Sequence, residues 1–334
     1  MSKARISSLD ALRGIAALAV VLYHYTFRYD AIYGHEFSLE HLFIFKYGYL
    51  GVQLFFMISG FVIYLSLENT SNIKKFAFNR FARLYPAYWF AVIFTFIVVL
   101  ALGLPGRDVS FLHMLVNLSM LNGFVGIPSV DGVYWTLRVE LSFYFVIATL
   151  YFLLPRKQVL IGFLSLLILA FFVKYLYLLG NVHISIKILN LILSLDFLHF
   201  FGAGIGFYLL SKKNDYLLAS LLIATSILYN LAFGKGAELI ITLSFYPLFL
   251  LLSAGKAKFL STRLLTYLGA ISYSLYLVHQ NIGYMIFNYS YKYNIHPVIA
   301  FFIALSVSIL IAHFSTRYIE QTIGRKLKKL SDYA

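Results

Sequence analysis

An acid, an arginine and a histidine lie where a lipid-facing helix would carry none. The stretch LDALRGIAALAVVLYHY, Leu9 to Tyr25, holds Asp10, Arg13 and His24 in an otherwise apolar run. An ionisable side chain inside a membrane span costs about 3 kcal/mol on insertion scales, so it usually faces a bundle interior and often carries function. Arg13 and His24 are eleven residues apart. At about 100° per residue that is three turns plus roughly 20°, so the two share a helix face, roughly 16 Å apart along the axis. A guanidinium can hold phosphate. An imidazole titrates near neutrality and can take a proton from a hydroxyl. Asp10 is one turn before Arg13 and can orient it. Singly, Arg13 reads as a helix-end arginine reaching the surface, and His24 as a hydrogen-bonded interior histidine. Together on one face they argue for an interior channel.

Three further clusters could join them. FAFNRFARLYPAYWF, Phe76 to Phe90, places Arg80 and Arg83 at i and i+3, adjacent on one face at the entrance of an aromatic-rich span. Two guanidiniums there can grip phosphates bidentately, and anchoring by basic residues is the plainer alternative. VYWTLRVELSFYF, Val133 to Phe145, puts Glu140 within a span, one turn from Thr136 and Tyr144. Arg138, two residues away, faces elsewhere, so Glu140 should point at another helix, as a reactive group or as a structural ion pair. LGAISYSLYLVHQ, Leu268 to Gln280, repeats Ser272, Tyr276 and His279 at helical spacing, which also suits tight helix packing. His199 and His313 are isolated and read as packing residues.

The elements that must position these groups are membrane helices. Of 334 residues, 61% are hydrophobic and 12% charged, where soluble domains carry about 25% charged; mean hydropathy is +0.83. The expected fold is all-α, a polytopic bundle of about ten spans near 9–28, 48–67, 86–104, 133–154, 158–178, 188–210, 216–233, 238–254, 267–288 and 297–318. With the N-terminus inside, seventeen basic residues fall on cytoplasmic segments and eight on the outer side, so both termini are expected in the cytoplasm. The first helix reads as uncleaved, because YHYTFRYD follows it in place of a small-residue cleavage site. The longest segment between spans, about 105–132, is external and is either a surface helix with a loop over a cavity or a plain connector. No soluble domain is expected beside the single membrane domain, 1–334. Without cysteine, disulfides, thiolate nucleophiles and Cys-ligated metals are excluded, and no metal site is expected. The net charge of +14 suits anionic lipid better than nucleic acid, for no tract interleaves bases with aromatics. Oligomeric state is not legible.

These stretches, in order over about residues 7–320, resemble the acyltransferase-3 family of integral membrane acyltransferases. SSLDALRGIAALAVVLYHY is similar to its first helix and GVQLFFMISGFVI (Gly51 to Ile63) to its second. FAFNRFARLYPAY carries its paired arginines, YWTLRVELSFYF its Trp and Glu segment, and LGAISYSLYLVH a helix near its C-terminus. The resemblance implies a ten-helix enzyme of the bacterial inner membrane. Such an enzyme moves an acyl group, commonly acetyl from acetyl-CoA, to a hydroxyl of an extracytoplasmic glycan or lipid-linked sugar such as O-antigen, exopolysaccharide or capsule. By position, His24 matches the essential histidine, Arg13 its partner, Arg80 and Arg83 the paired arginines, and Glu140 the motif glutamate. His24 and Glu140 are then the expected catalytic pair, with Glu140 orienting the imidazole. Arg13, Arg80 and Arg83 hold the CoA phosphates. Asp10, Tyr134, Trp135 and His279 are expected to line the substrate path. The rival reading is a transporter using buried Arg, His and Glu for proton or anion coupling; against it, no internal repeat is visible.

Overall fold

The computed structural model describes residues 3–35, 40–180 and 184–331, and among these the secondary structure is helical with no strand. The long helices are α1 (Lys3–Tyr23), α2 (Gly51–Glu68), α3 (Ile73–Leu102), α4 (Trp135–Leu153), α5 (Arg156–Leu178), α6 (Leu195–Lys212), α7 (Tyr216–Phe233), α8 (Gly236–Ser253), α9 (Arg263–Lys292) and α10 (Pro297–Phe314); α11 (Gln321–Ser331) closes the described chain. Among the described residues, eight segments are long and apolar enough to cross a membrane. The chain is a multi-pass membrane protein. Large apolar side chains are exposed along these helices, Leu100, Phe145 and Leu310 among them. They face outward because the surrounding solvent is hydrocarbon.

The eight do not include α1 and α9, where the first and ninth spans are expected. These are the helices that carry Arg13 and His279. α9 is thirty residues long and dense in Tyr, Ser, Asn and Gln. It tolerates them because protein, not lipid, surrounds it: nearly every residue from Leu268 to Met285 is buried. The sixth expected span, 188–210, is not one helix. Ser194 adopts a left-handed φ of 52° and separates Ile184–Leu193 from α6. Asp196, just beyond the break, accepts from Asn190 Nδ2 at 2.6 Å and pairs with Lys174 at 2.9 Å.

Two compact units make up the chain. The first gathers Met1–Leu12, Val52–Ala77 and Val139–Thr262. Within it α2 and α6 meet backbone to backbone: a Cβ on Gly60 would lie 2.1 Å from the Phe201 carbonyl oxygen, and one on Gly204 2.1 Å from that of Met57. Such small-residue contacts let dispersion act where lipid leaves no hydrophobic drive between helices. The isolated His199 is indeed a packing residue, buried and stacked 4.1 Å from the Tyr229 ring.

The second unit gathers Arg13–Gly51, Phe78–Arg138 and Arg263–Ala334. After Tyr23 the first helix widens into one π-helical turn, His24–Arg28. That turn brings Tyr25 onto α9, where its ring fills the space a Gly283 side chain would need; the Tyr25 ring carbon is 2.2 Å from the Cβ position. The Tyr25 hydroxyl donates to the His279 carbonyl at 2.9 Å and accepts from Ser308 Oγ at 2.6 Å. At the other end of the unit, Pro86 lies within α3. Proline has no N–H, so the carbonyl four residues earlier, Ala82, loses its helical donor. Gly324 of α11 packs there, its absent Cβ only 2.9 Å from the Ala82 oxygen. The 105–132 segment is not a plain connector. Its short helix Phe111–Asn117 ends under the α3 aromatics, with Tyr88 donating to Asn117, Trp89 to Leu118 and Tyr85 to Ser119. The buried Asn117 amide holds Pro128 and Val130 in place, which delivers Asp131 to α9.

Candidate active site

In the second unit His24 meets a second histidine. The two rings lie 4.9 Å apart, with His24 Nδ1 3.1 Å from His279 Nε2. His24 Nδ1 is also 2.9 Å from the Val20 carbonyl oxygen, and His279 Nδ1 is 2.8 Å from that of Tyr276. A carbonyl oxygen can only accept. Each Nδ1 therefore carries a proton, which leaves Nε2 of His279 as an acceptor for the His24 N–H. Nε2 of His24 is then a bare basic nitrogen. The arrangement can take a proton at His24 Nε2 and share the resulting positive charge with His279 and the Val20 carbonyl.

The surroundings are polar and tightly held. Asp131 is buried and accepts from the backbone N–H of Val133 and of Asn281, at 3.2 and 3.0 Å. Burial pushes its carboxyl up to about 6, against the pull of those two donors and of Arg107. Tyr276 donates to the Val133 carbonyl, and Thr136 lies 2.9 Å from the Tyr276 hydroxyl. Tyr284 approaches His24 at 6.5 Å between ring centroids, and Arg107 lies 5.9 Å over the Tyr284 ring.

A separate basic cluster gathers around Arg83. It is ion-paired with Glu320, whose buried carboxylate also accepts from Ser274 at 3.2 Å. The Arg83 guanidinium lies 5.9 Å over the Tyr273 ring. Lys328 on α11 is within electrostatic reach of both Arg80 and Arg83. Arg80, Arg83 and Lys328 thus bring three cations together beside Glu320, a cluster that suits a polyphosphate.

The sequence-predicted residues fall as follows. His24 and His279 are brought together, and Arg80 and Arg83 sit side by side as expected. The expected pairing of Glu140 with His24 is not among the contacts that either side chain makes within its own unit. Glu140 belongs to the first unit, where it accepts from Ser59 at 3.1 Å and from Tyr144 of its own helix. The partner of His24 is His279. The physical reason is local: Tyr144, one turn on, and Ser59 of α2 supply hydroxyl donors that satisfy the carboxylate. Asp10 and Arg13 are half-buried one turn apart, in the first and second units respectively. Tyr134 is buried against the Tyr88 ring at 5.2 Å, while Trp135 is exposed. Sequence reasoning missed Arg28, Arg107, Asp131, Tyr284 and Glu320. The signal for the two arginines was present, since both fall on segments that the sequence reading places outside, where the positive-inside rule expects few basic residues.

The family described as "Acyltransferase domain", the acyltransferase-3 family, matches residues 6–315. A putative acetyltransferase, ORF330 of Acidianus two-tailed virus, is 28% identical over 282 residues, 80% of each chain. The acyltransferase MdmB of Streptomyces mycarofaciens is 28% identical over 160 residues, 46% of this chain and 41% of its own. An O-acetyltransferase, OatA of Staphylococcus aureus, is 26% identical over 380 residues, 96% of this chain and 57% of its own. The chain thus spans well under two thirds of the latter two relatives. No solved structure matches. With the family matched across nearly its whole length, and a paired histidine and a cluster of cations on its helices, the chain belongs to the acyltransferase-3 family and is a membrane acyltransferase.

Proposed function

We propose that this acyltransferase moves an acetyl group from cytoplasmic acetyl-CoA to a hydroxyl of an extracytoplasmic glycan, in a bacterial inner membrane with both termini inside. Arg80, Arg83 and Lys328, with Arg13, hold the CoA phosphates at the cytoplasmic mouth. The pantetheine arm reaches toward His24, roughly 16 Å along α1 from Arg13. His24 Nε2 takes the proton of the acceptor hydroxyl as its oxygen attacks the thioester carbonyl. The C–S bond breaks, and the proton passes to the leaving thiolate, giving free CoA and the acetyl ester. An acetyl-imidazole on the same nitrogen is the alternative two-step route. His279 takes the orienting role that a carboxylate plays in a triad. Transfer of an acetyl group is supported by the names of relatives that are acetyltransferases, and a glycan acceptor by a relative named as a peptidoglycan O-acetyltransferase.

The observation that carries this reading is the hydrogen-bonded histidine pair, which leaves His24 Nε2 bare. The test is transfer of labelled acetyl from acetyl-CoA to oligosaccharides by the purified protein. His24→Ala should abolish transfer while acetyl-CoA still binds in a direct titration. Near-normal transfer by that variant rules the role out. Solute flux without covalent labelling would instead favour transport.

A further inference from the structure

Two arginines act on His24 from outside its own ring pair. Arg107 and Arg28 both act electrostatically on His24 and on Tyr284, yet neither forms an ion pair among the described residues. Asp131 is the carboxylate nearest in effect to Arg107, and both its oxygens are committed to backbone N–H groups of Val133 and Asn281. Arg107 is half-buried, so its charge has lost part of its water, and it faces Asp131 at a distance without a direct ion pair among the described residues.

A second, independent feature points to the same place. The Gln280 side chain is 3% exposed and its Oε1 has no hydrogen-bond partner; the hydroxyl of the fully buried Tyr284 has none either. Buried polar atoms of this kind are rare in folded proteins and call for a ligand or a water. Gln280 and Arg107 converge on Gly132: a Cβ there would lie 2.9 Å from Gln280 Oε1 and 3.2 Å from Arg107 Nη1. Beside Arg107 a cavity of 90 Å³ is lined by Asp108, Val109 and Val130. A wider one of 430 Å³ is lined by Asp108, Asn288, Tyr289 and Lys292. Guanidinium, free amide oxygen and phenol are the donor and acceptor set that recognises a sugar bearing a negative charge.

We propose that Arg107, helped by Arg28, forms an anion site beside His24 that selects an acceptor bearing a negative group. The shared chemistry is a carboxylate of an acidic sugar or a phosphate of a lipid-linked sugar. The arginine fork fixes the anion, Gln280 Oε1 accepts from a neighbouring sugar hydroxyl, and Tyr284 donates to a ring substituent. A second hydroxyl of the same sugar is then directed at His24 Nε2. The inference rests on the transferase reading, whose acceptor class it names.

The test uses the full-length protein in nanodiscs and three oligosaccharides of equal length: neutral, uronate-bearing and phosphate-bearing. Equilibrium binding and labelled acetyl transfer are measured separately. The wild type should bind one anionic acceptor at least tenfold more tightly than the neutral one, and which one identifies the source of the charge. Arg107→Gln should lose about tenfold to a hundredfold on that acceptor, the range expected for one charge-assisted pair. It should leave the neutral acceptor and acetyl-CoA within about twofold. Arg107→Lys should recover part of the loss, and Arg28→Gln should show a smaller one. Gly132→Ala, which crowds both side-chain ends while keeping the charge, should also weaken the anionic acceptor. Equal binding of all three acceptors by the wild type, or equal loss on all three in Arg107→Gln, overturns the proposal. If the anionic preference and its loss in Arg107→Gln hold while no label reaches any sugar, the anion site stands and the transferase reading falls.

Discussion

Two carbonyl oxygens, on Val20 and Tyr276, decide how the histidine pair holds its protons. Because neither can donate, His279 is fixed as the acceptor of the His24 N–H, and the only basic nitrogen left on His24 is Nε2. His279→Ala should therefore lower kcat by about tenfold to a hundredfold, the scale of losing orientation in proton transfer, with acetyl-CoA affinity unchanged. His279→Gln keeps an acceptor oxygen and should retain more activity than the alanine variant. Kinetics with parallel donor titrations check this; equal loss in both variants would mean that His279 only packs. Asp131 offers a test by pH. Its folded value, about 6, lies above the ordinary carboxylate range because burial penalises the charge. The stability it contributes is present at low pH and is lost as pH rises through about 6. Thermal unfolding of the wild type between pH 4 and 6.5 should show that slope, which spans the interval from the ordinary value of 3.8 to the folded value of about 6, and Asp131→Asn should flatten it whatever its constant offset. An unchanged slope would place the titration elsewhere. Of these residues His24 was legible in the sequence, since an imidazole in an apolar run is conspicuous. Its partner was not singled out as such, because His279 sits 255 positions away among serines and tyrosines that equally fit helix packing.

At the scale of the element, contacts made by missing side chains set the distances. Pro86 strips a donor from the Ala82 carbonyl, and Gly324 lets α11 approach it closely enough to bring Lys328 to the arginine pair. Gly324→Ala should force the two helices apart, costing about 1–3 kcal/mol of stability as overpacking does. It should raise the KM for acetyl-CoA several-fold while leaving that for the acceptor alone. Steady-state kinetics separate the two, and an unchanged donor KM would remove α11 from the donor site. The paired arginines were legible from i, i+3 spacing alone. Lys328 was counted only as a cytoplasmic charge, because sequence spacing does not report which helix returns to which. The partners of Glu140 were not legible for a related reason: a carboxylate within a span must have partners, but the pattern does not say that Tyr144 and Ser59 are among them.

For the whole molecule, hydropathy located the helices well, and it is weakest where the chemistry is. The two helices outside the eight apolar ones carry both histidines or lead to them. A helix wrapped by other helices needs no lipid-compatible surface, so polarity there marks burial in protein rather than exposure to water. The chain lacks cysteine, so single introduced cysteines report sidedness without background. Lys213→Cys, between α6 and α7, should react with an impermeant maleimide only in inverted vesicles. Lys235→Cys, between α7 and α8, should react only in intact cells. The reverse pattern would overturn the proposed orientation, and labelling from the same side at both sites would mean that α7 does not cross the membrane.

The π-turn at His24–Arg28 makes the register of the active site a matter of chain length. One residue more than an α-helix needs is stored there. Deleting a single residue between Tyr25 and Arg28 would let the segment relax to a regular helix, with composition and hydropathy almost unchanged. Because the residue removed is the surplus one, the chain on either side keeps its register, and Tyr29, whose hydroxyl donates to Asn288 at 2.7 Å, keeps its place against α9. A deletion in the regular helix before His24 has no such slack and turns one side of the chain against the other by about 100° and about 1.5 Å. A deletion scan read by transfer activity should therefore find Thr26 and Phe27 more tolerant than positions within α1. A minimum at the wide turn would instead mean that the turn itself aims His24.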